Sequence, residues 1–330
     1  MPYTKPWLSH QDQLAQLQRR GMTITDQAIA LDYLERIGYY RLSGYWYPFR
    51  ERSGEVILLS EQGRKPQKIK TTRVALEHFK AGSRFIDAVE LYVFDKRLRM
   101  LAMDALERIE IAIRVDISHT LGQLDPFAYL KPECLFAGFS QQLDESSGVS
   151  KHHDWLGKHG RLIGRSKEEF VKHNKVKYGL PLPIWVACEV WDFGTMSTLY
   201  AGMRETEQDQ IAAAYGVANG RVFATWLRSL NYLRNVCAHH SRLWNRNITE
   251  QPKLPHAANL PWVASYTNNH HAQARCFLLL RICRHLMAYI NPNSSWPQRM
   301  RKHLNAFPDL AHIGLDLSGM GAPINWREDW

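Results

Sequence analysis

Hydrophobic residues recur every three or four positions over long stretches of the chain, and this spacing is typical of amphipathic helices. The clearest stretch is residues 85–121, which contains neither proline nor glycine. It predicts the longest helix of the protein, about 50 Å if continuous. Gly122 and Pro126 are expected to end it.

Shorter helical patterns follow the same rule, while alternating patterns typical of strands are sparse. We predict helices over residues 9–20, from Thr25 to Gly38, over 167–175, over 207–215, over 221–240 and over 272–290. Residues 183–203 predict an apolar helix that bends near Gly194. The fold class is therefore mostly α.

The chain divides, on these patterns, into two regions. Residues 1–72 form an N-terminal helical region that includes an aromatic and arginine-rich turn at 38–50 and a basic insertion at 51–72. A short β-like run at 56–59 predicts a small hairpin or a flexible loop in that insertion. Residues 73–330 form the second region, a helical domain with a C-terminal tail.

The segment 38–50 has two interpretations. In one, Tyr45 and Trp46 stack on nucleic-acid bases while Arg41 and Arg50 contact phosphates. In the other, which we favour, the segment is a tight turn whose aromatic side chains fill the core. The basic side chains of the insertion similarly either contact a nucleic-acid backbone or remain solvated; they are Arg64, Lys65, Lys68 and Lys70.

Composition narrows the choice of partner and compartment. The formal charge of +10 and the pI near 9.4 favour a polyanionic partner, with nucleic acid ahead of an anionic membrane. Five scattered cysteines without a C-x-x-C pair argue against a disulfide framework and against a cysteine zinc site. No segment predicts a signal peptide or a membrane span, so we expect a cytoplasmic protein.

One histidine-rich segment raises the question of a metal. His152, His153, Asp154 and His159 lie close together in the sequence, but their spacing matches no strong metal-binding pattern. We expect a solvated basic loop there, and neither a metal nor another cofactor in the protein.

The strongest candidate for chemistry is the stretch 233–246, LRNVCAHHSRLWNR, at the end of an apolar helical pattern. We predict Arg234, Asn235, His239 and His240 as catalytic residues. An imidazole can take or give a proton, and a guanidinium suits a phosphate whose charge grows in the transition state. Asn235 would orient either group, and His240 is either a support group or a buried histidine. The set suits metal-free RNA cleavage through the ribose 2′-OH.

Helical geometry limits how these groups meet. Trp226, Leu230, Leu233 and Cys237 fall on one stripe that faces the core. Asn235 and His239 share a face nearly opposite to it. Arg234 lies about 140° from His239 around an ideal helix. We therefore favour a site completed by a second copy of the motif, which predicts a homodimer.

Three Arg-x4-His pairs occur in the chain, so spacing alone does not identify the site. They are Arg73/His78, Arg114/His119 and Arg234/His239. Arg114 and His119 either contribute RNA contacts and a second half-site within the same chain, or are structural. In the structural alternative Arg114 pairs with Glu110 one helical turn away.

Several separated blocks resemble one family when taken in order. The segment 233–246 looks like the C-terminal signature of the Abi family, the AbiD/AbiF-like abortive-infection proteins of bacteria. Other blocks similar to that family are KPWLS (5–9), RRG (19–21), IGYYRLSGYWYPFR (37–50), LYVFDKRLRMLAMDALERIEIAIR (91–114) and PIWVACEVWDFGTMS (183–197).

This resemblance implies a HEPN-type helical bundle, often dimeric, whose R-x4–6-H motif carries metal-independent RNase activity. Arg234, Asn235 and His239 match the R-N-x3-H form found in type VI CRISPR effectors. The resemblance implies an endoribonuclease toxin of anti-phage defence, with control by a small noncoding RNA as in some relatives. Arg242 and Arg246 are expected to add RNA contacts.

Two alternatives remain open. One is a catalytically silent HEPN module that holds a structured noncoding RNA, and the other is a helical scaffold that binds only protein.

Overall fold

The structure is a computed structural model that describes residues 2, 4–57 and 71–330. The predicted contacts of Arg64, Lys65, Lys68 and Lys70, and the end of the predicted run at 56–59, lie outside these residues. The chain forms two compact units. One comprises residues 1–97 and 303–317, and the other comprises residues 98–302 and 318–330. The predicted division into an N-terminal helical region, 1–72, and a helical domain, 73–330, stays a prediction.

The first unit begins with three helices, α1 (His10–Arg19), α2 (Gln27–Arg36) and α3 (Tyr39–Trp46). Ser9 caps α1 by accepting a hydrogen bond from the Asp12 amide, and Asp26 caps α2 through the Ile29 amide. Helix α3 replaces the tight turn predicted over 38–50. Gly38, with φ 89°, turns the chain directly into this helix.

Two small antiparallel pairs of strands follow. Strand β1 (Arg50–Arg52) pairs with β4 (Ala75–Phe79), and β2 (Val56–Ile57) pairs with β3 (Thr71–Thr72). Because β4 is held against β1, this unit extends past residue 72. The predicted β-like run is confirmed for its described residues, Val56 and Ile57.

Helix α4 (Phe85–Leu124) is the longest in the described chain and ends three residues beyond the predicted boundary. Its buried residues include Leu106, Ile109, Ile113, Ile117 and Leu121, which follow helical spacing. At 1.5 Å per residue its 40 residues span about 60 Å.

The remaining helices of the described chain complete a mostly α fold, which confirms the predicted class. They are α5 (Ala137–Ser140), α6 (Lys151–Arg165), α7 (Glu169–Tyr178), α8 (Ile184–Ala187), α9 (Phe193–Gly202), α10 (Glu205–Ala214), α11 (Gly220–Ala238), α12 (Ala264–Thr267), α13 (His270–Gln273), α14 (Cys276–Ile290), α15 (Trp296–Asn305) and α16 (Trp326–Asp329). Helix α11 packs against α9, α10 and α14.

Helix α6 corrects the prediction of a solvated basic loop. Its buried residues, His152, Trp155, His159, Leu162 and Ile163, follow helical spacing, so two of the histidines belong to the apolar face. Histidine counts as a polar residue in a hydrophobicity pattern, so the pattern does not reveal the buried face of α6. A neutral imidazole nevertheless packs well against aromatic rings.

The apolar segment 183–203 also differs from its prediction. It is not one helix bent at Gly194 but two, α8 and α9, separated by a 3-10 turn (Cys188–Val190). The break lies at Trp191 and Asp192, because the Asp192 carboxylate caps α9 through the Thr195 amide.

Candidate functional site

The C-terminal end of α11 closes in a Schellman motif. The His240 amide donates to the Cys237 carbonyl at 3.1 Å, and the Ser241 amide donates to the Val236 carbonyl at 3.0 Å. His239 is the C-cap residue. The helix therefore ends at Ala238, two residues before the predicted boundary at 240, and both histidines lie beyond its last residue.

His240 occupies the position that glycine usually fills in this motif, with φ 54° in the left-handed region. Among the described residues it is the only one other than glycine with a positive φ. Histidine enters this region more often than most side chains, but such a conformation still costs about 1–3 kcal/mol. His240 is exposed, so the prediction of a buried histidine is wrong.

His239 presents its imidazole to solvent. The side chain is exposed and makes no hydrogen bond or ion pair with residues 4–57 or 71–330. Its backbone amide donates to the Asn235 carbonyl at 3.0 Å, so the backbone remains helical up to this point. The predicted common face of Asn235 and His239 is therefore retained.

Arg234 is half-buried and is oriented by its neighbour in the sequence. Its Nη1 donates to Oδ1 of Asn235 at 3.3 Å. Within the described chain its hydrogen-bond partner is thus Asn235 and not His239, in line with the angular separation expected from the helix. The backbone beneath it is fixed, because the predicted core stripe is buried at Trp226, Leu230, Leu233 and Cys237.

Glu110 of α4 joins this site, although its sequence position predicts only a structural pair with Arg114. Burial raises the pKa of its carboxyl, and the positive charges of Arg114 and Arg234 both act against that rise. Glu110 therefore lies within electrostatic reach of two arginines that are 120 positions apart in sequence.

Arg114 makes the pair with Glu110 that the structural alternative predicts, since its Nη2 lies 2.9 Å from Oε1 of Glu110. RNA contacts of Arg114 and His119 stay a prediction. The same nitrogen donates to the Trp191 carbonyl at 3.1 Å, and Nη1 lies 3.6 Å from Oε2 of Glu189. A guanidinium with this many partners has little capacity left for a phosphate. His119 is exposed, and its Nε2 lies 3.1 Å from the Gln123 amide nitrogen.

Trp191 connects Arg114 to a buried aromatic cluster. Its indole nitrogen donates to Nδ1 of His159 at 3.0 Å, and the His159 ring stacks on Trp155 with centroids 5.3 Å apart. Burial lowers the pKa of His159 to about 4, so the ring is neutral near pH 7 and can accept this bond. Through the Trp191 carbonyl, this buried cluster is hydrogen-bonded to the Arg114 side chain.

A family model described as Abi-like protein matches residues 32–245. The match spans well over half of the chain. The chain belongs to the Abi-like protein family. No curated protein and no solved structure among those compared matches it.

The Abi-like match includes Arg234, Asn235, His239 and His240, and it also includes Glu110 on α4. The family region thus contains both helices that supply the site. Arg246 lies just outside the matched residues.

Two arginines, Arg242 and Arg246, follow the histidines in this Abi-like protein. Both are half-buried. The Arg246 Nε donates to the Tyr232 hydroxyl at 2.8 Å, and its guanidinium carbon lies 5.9 Å from the centre of that ring. Between them, Leu243 and Trp244 are buried. RNA contacts of Arg242 and Arg246 stay a prediction.

The base-stacking interpretation of segment 38–50 is wrong for two of its residues. Trp46 has no exposed surface, and Tyr45 is buried with its hydroxyl donating to Oδ2 of Asp95 at 2.7 Å. A buried ring offers no face to a base, so the core interpretation holds for Tyr45 and Trp46, whereas Tyr40 of the same segment is 91% exposed. Arg41 is exposed, while Arg50 is half-buried with Nη1 3.9 Å from Oε1 of Glu77. Both belong to the first unit.

Within residues 4–57 and 71–330, no group of three or more His, Cys, Asp or Glu side chains is arranged to hold a metal ion. In the same part of the chain, no helix combines the length and apolar character that crossing a membrane requires.

Proposed function

We propose that this Abi-like protein is a metal-independent endoribonuclease of the HEPN superfamily that acts as a toxin in abortive infection. Family membership supports the role in abortive infection. One observation supports the activity: the exposed imidazole of His239, which has no hydrogen-bond or ion-pair partner among residues 4–57 and 71–330, directly follows the helix on which Asn235 orients Arg234. The strained His240 next to it is consistent with a functional site.

The proposed reaction uses the RNA as its own nucleophile. The 2′-hydroxyl oxygen attacks the adjacent phosphorus while His239 takes the hydroxyl proton. Arg234 stabilises the negative charge that grows on the phosphoryl oxygens. The bond from phosphorus to the 5′ oxygen breaks, and a second acid protonates the leaving oxygen. The products carry a 2′,3′-cyclic phosphate and a 5′-hydroxyl.

We propose a homodimer because the reaction needs a second acid to protonate the leaving 5′ oxygen. A second copy of the chain would supply another exposed imidazole on the far side of the scissile phosphate. His240 of the same chain is the other candidate, since it is exposed and adjacent. We further propose RNA as substrate, a small noncoding RNA as a controlling partner, and the cytoplasm as the place of action.

The activity is tested with purified variants and a labelled single-stranded RNA. Arg234→Ala and His239→Ala should reduce cleavage at least 100-fold, the lower end of what general acid–base catalysis contributes. Arg228→Ala removes an exposed arginine from the same helix, and His173→Ala removes an exposed histidine from α7, so both should cleave like the parent.

A 2′-deoxy substitution at the scissile nucleotide should abolish cleavage, whereas a chelator should leave it unchanged. Undiminished cleavage by the two site variants would overturn the proposal. If the parent binds RNA with steep salt dependence but cuts no substrate, the silent RNA-binding alternative is supported instead.

A further inference from the structure

A groove on the second unit lies beside the ion pairs of Glu110 and Arg114. Its volume is about 470 Å³, within the range of roughly 300–1,000 Å³ usual for ligand sites. It is lined by Val115, Ser118, His119, Gly122, Gln123, Trp185, Cys188 and Glu189. None of these residues belongs to the proposed catalytic set.

Trp185 provides a flat aromatic wall. Its side chain is 53% exposed, although tryptophan is usually well covered. A Cβ placed on Gly122 would lie 3.7–3.8 Å from the Trp185 ring, so the indole lies against α4 where that helix has no side chain. The indole is thus held on one side and open on another.

One of the other walls of the groove is uncharged, and another carries groups that can hydrogen-bond to the polar edge of a ligand. Val115 is 56% exposed, and burial raises the pKa of the Cys188 thiol to about 11, so that wall remains uncharged. The Gln123 amide nitrogen donates to His119 Nε2, which leaves the Gln123 oxygen as an acceptor and His119 Nδ1 as a donor. The Glu189 carboxylate adds a second acceptor.

The groove is connected to the candidate site by a short series of charges. Glu189 lies 3.6 Å from Arg114, which pairs with Glu110 at 2.9 Å. The positive charge of Arg234 in turn acts on the Glu110 carboxyl and opposes the rise in its pKa. Glu189, Arg114 and Glu110 therefore link the groove to Arg234.

We propose that the groove between the end of α4 and the segment 185–189 binds an unpaired base of the RNA, stacked on Trp185. The inference rests on the proposed function for the identity of the ligand. A base has two apolar faces and an edge of donors and acceptors, which matches the indole and the His119–Gln123 pair. The acceptors Gln123 and Glu189 favour bases that carry an amino group, so adenine and cytosine bind more tightly than uracil.

The test measures the affinity of the parent protein for non-cleavable 2′-O-methyl oligonucleotides of about eight residues, a length within the site sizes of single-strand binders. Trp185→Ala should weaken binding about 10-fold or more, because one stacked base contributes about that much. Trp185→Phe should restore most of the affinity. Gln123→Ala should reduce the preference for oligo(A) and oligo(C) over oligo(U).

Tyr178→Ala is the matched control, because it removes another exposed aromatic side chain, 69% exposed, from the same unit. It should bind like the parent, and circular dichroism should show that all variants fold. Equal affinity of Trp185→Ala and the parent would overturn the inference. So would a parent dimer that becomes monomeric on Trp185→Ala, since the groove would then face a second copy of the chain.

The two proposals fail separately. If the parent cleaves RNA through Arg234 and His239 but Trp185→Ala changes nothing, only the groove assignment is wrong. If the parent never cleaves RNA yet loses affinity on Trp185→Ala, the groove assignment stands and the ribonuclease proposal is wrong.

Discussion

The indole nitrogen of Trp191 donates a hydrogen bond to Nδ1 of His159, 3.0 Å away in the core of the second unit. The carbonyl of the same tryptophan accepts from Arg114 at 3.1 Å. One residue thus joins a neutral buried histidine to the ion pairs near the candidate site. The protonation state of His159 should therefore affect the stability of this region.

Stability should fall as the pH drops from about 6.5 to about 4, the usual and the lowered pKa of His159. In that window the unfolded chain takes up a proton that the folded chain does not, so the free energy of unfolding decreases as pH falls. The contribution of His159 amounts to about 3 kcal/mol over the window. Burial also lowers the pKa of His152, His285 and His303, which act in the same direction.

Denaturant unfolding at several pH values measures this effect. His159→Gln keeps an acceptor for the Trp191 indole but does not titrate, so its unfolding free energy should depend less on pH than that of the parent. His173→Gln, at an exposed position, should leave the slope unchanged. Identical slopes for His159→Gln and the parent would contradict the assignment.

The pair of Glu110 and Arg114 should be strongly coupled. Removing Arg114 alone leaves a half-buried carboxylate and the Trp191 carbonyl without their main donor. We expect Arg114→Ala to destabilise the protein by about 3 kcal/mol, as for other buried pairs that lose one partner. Glu110→Ala/Arg114→Ala should be less unstable than the sum of the single variants, which a double-mutant cycle measures.

The matched control for that cycle is the exposed pair of Arg221 and Glu205, whose side chains are 66% and 55% exposed. Its coupling should be at most about 1 kcal/mol. Additive effects at Glu110 and Arg114 would show that the pair has no energetic role.

Because the backbone of His240 is left-handed, two substitutions at this position can distinguish the effect of backbone conformation on stability from the effect of the side chain. Both His240→Gly and His240→Ala remove the imidazole, but only glycine adopts φ 54° without strain. We expect the glycine variant to be about 1 kcal/mol more stable than the alanine variant. Thermal unfolding measures the difference, and equal stability would contradict the assigned backbone.

Cleavage by the same two variants separates the roles of His240. If both lose activity equally, the imidazole itself is needed. If the glycine variant alone retains it, the residue serves to place His239.

The proposed homodimer predicts that activity per chain depends on concentration. On dilution through the dissociation constant of the dimer, specific activity should fall together with the dimer fraction seen by sedimentation velocity. Specific activity that stays constant while the protein becomes monomeric would place the complete site within one chain.

Local signals in the sequence predicted helices α1, α2, α4, α7, α10, α11 and α14. Ser9 caps the helix that was predicted from residue 9, and Asp26 caps the one predicted from Thr25. The stripe of Trp226, Leu230, Leu233 and Cys237 is buried as predicted. These features depend only on neighbours in the sequence, so a pattern search is able to find them.

The secondary-structure predictions were wrong where a residue makes tertiary contacts that its residue type does not indicate. The sequence pattern does not predict α6, because His152 and His159 are polar residue types although both rings pack on Trp155. Asp192, rather than Gly194, sets the break before α9. In the site, the sequence grouped Arg234, Asn235 and His239, but the approach of Glu110 depends on how two distant helices pack.

The short chain between α11 and the buried Trp244 is fixed at both ends. At one end the Schellman bonds attach it to Val236 and Cys237, and at the other a Cβ on Gly319 would come within 2.6 Å of the Trp244 ring, so the indole is tightly enclosed. Inserting or deleting one residue between His239 and Trp244 would either rotate His239 away from Asn235 or displace the Trp244 indole from its buried position. The number of residues in this spacer is thus as constrained as their chemistry.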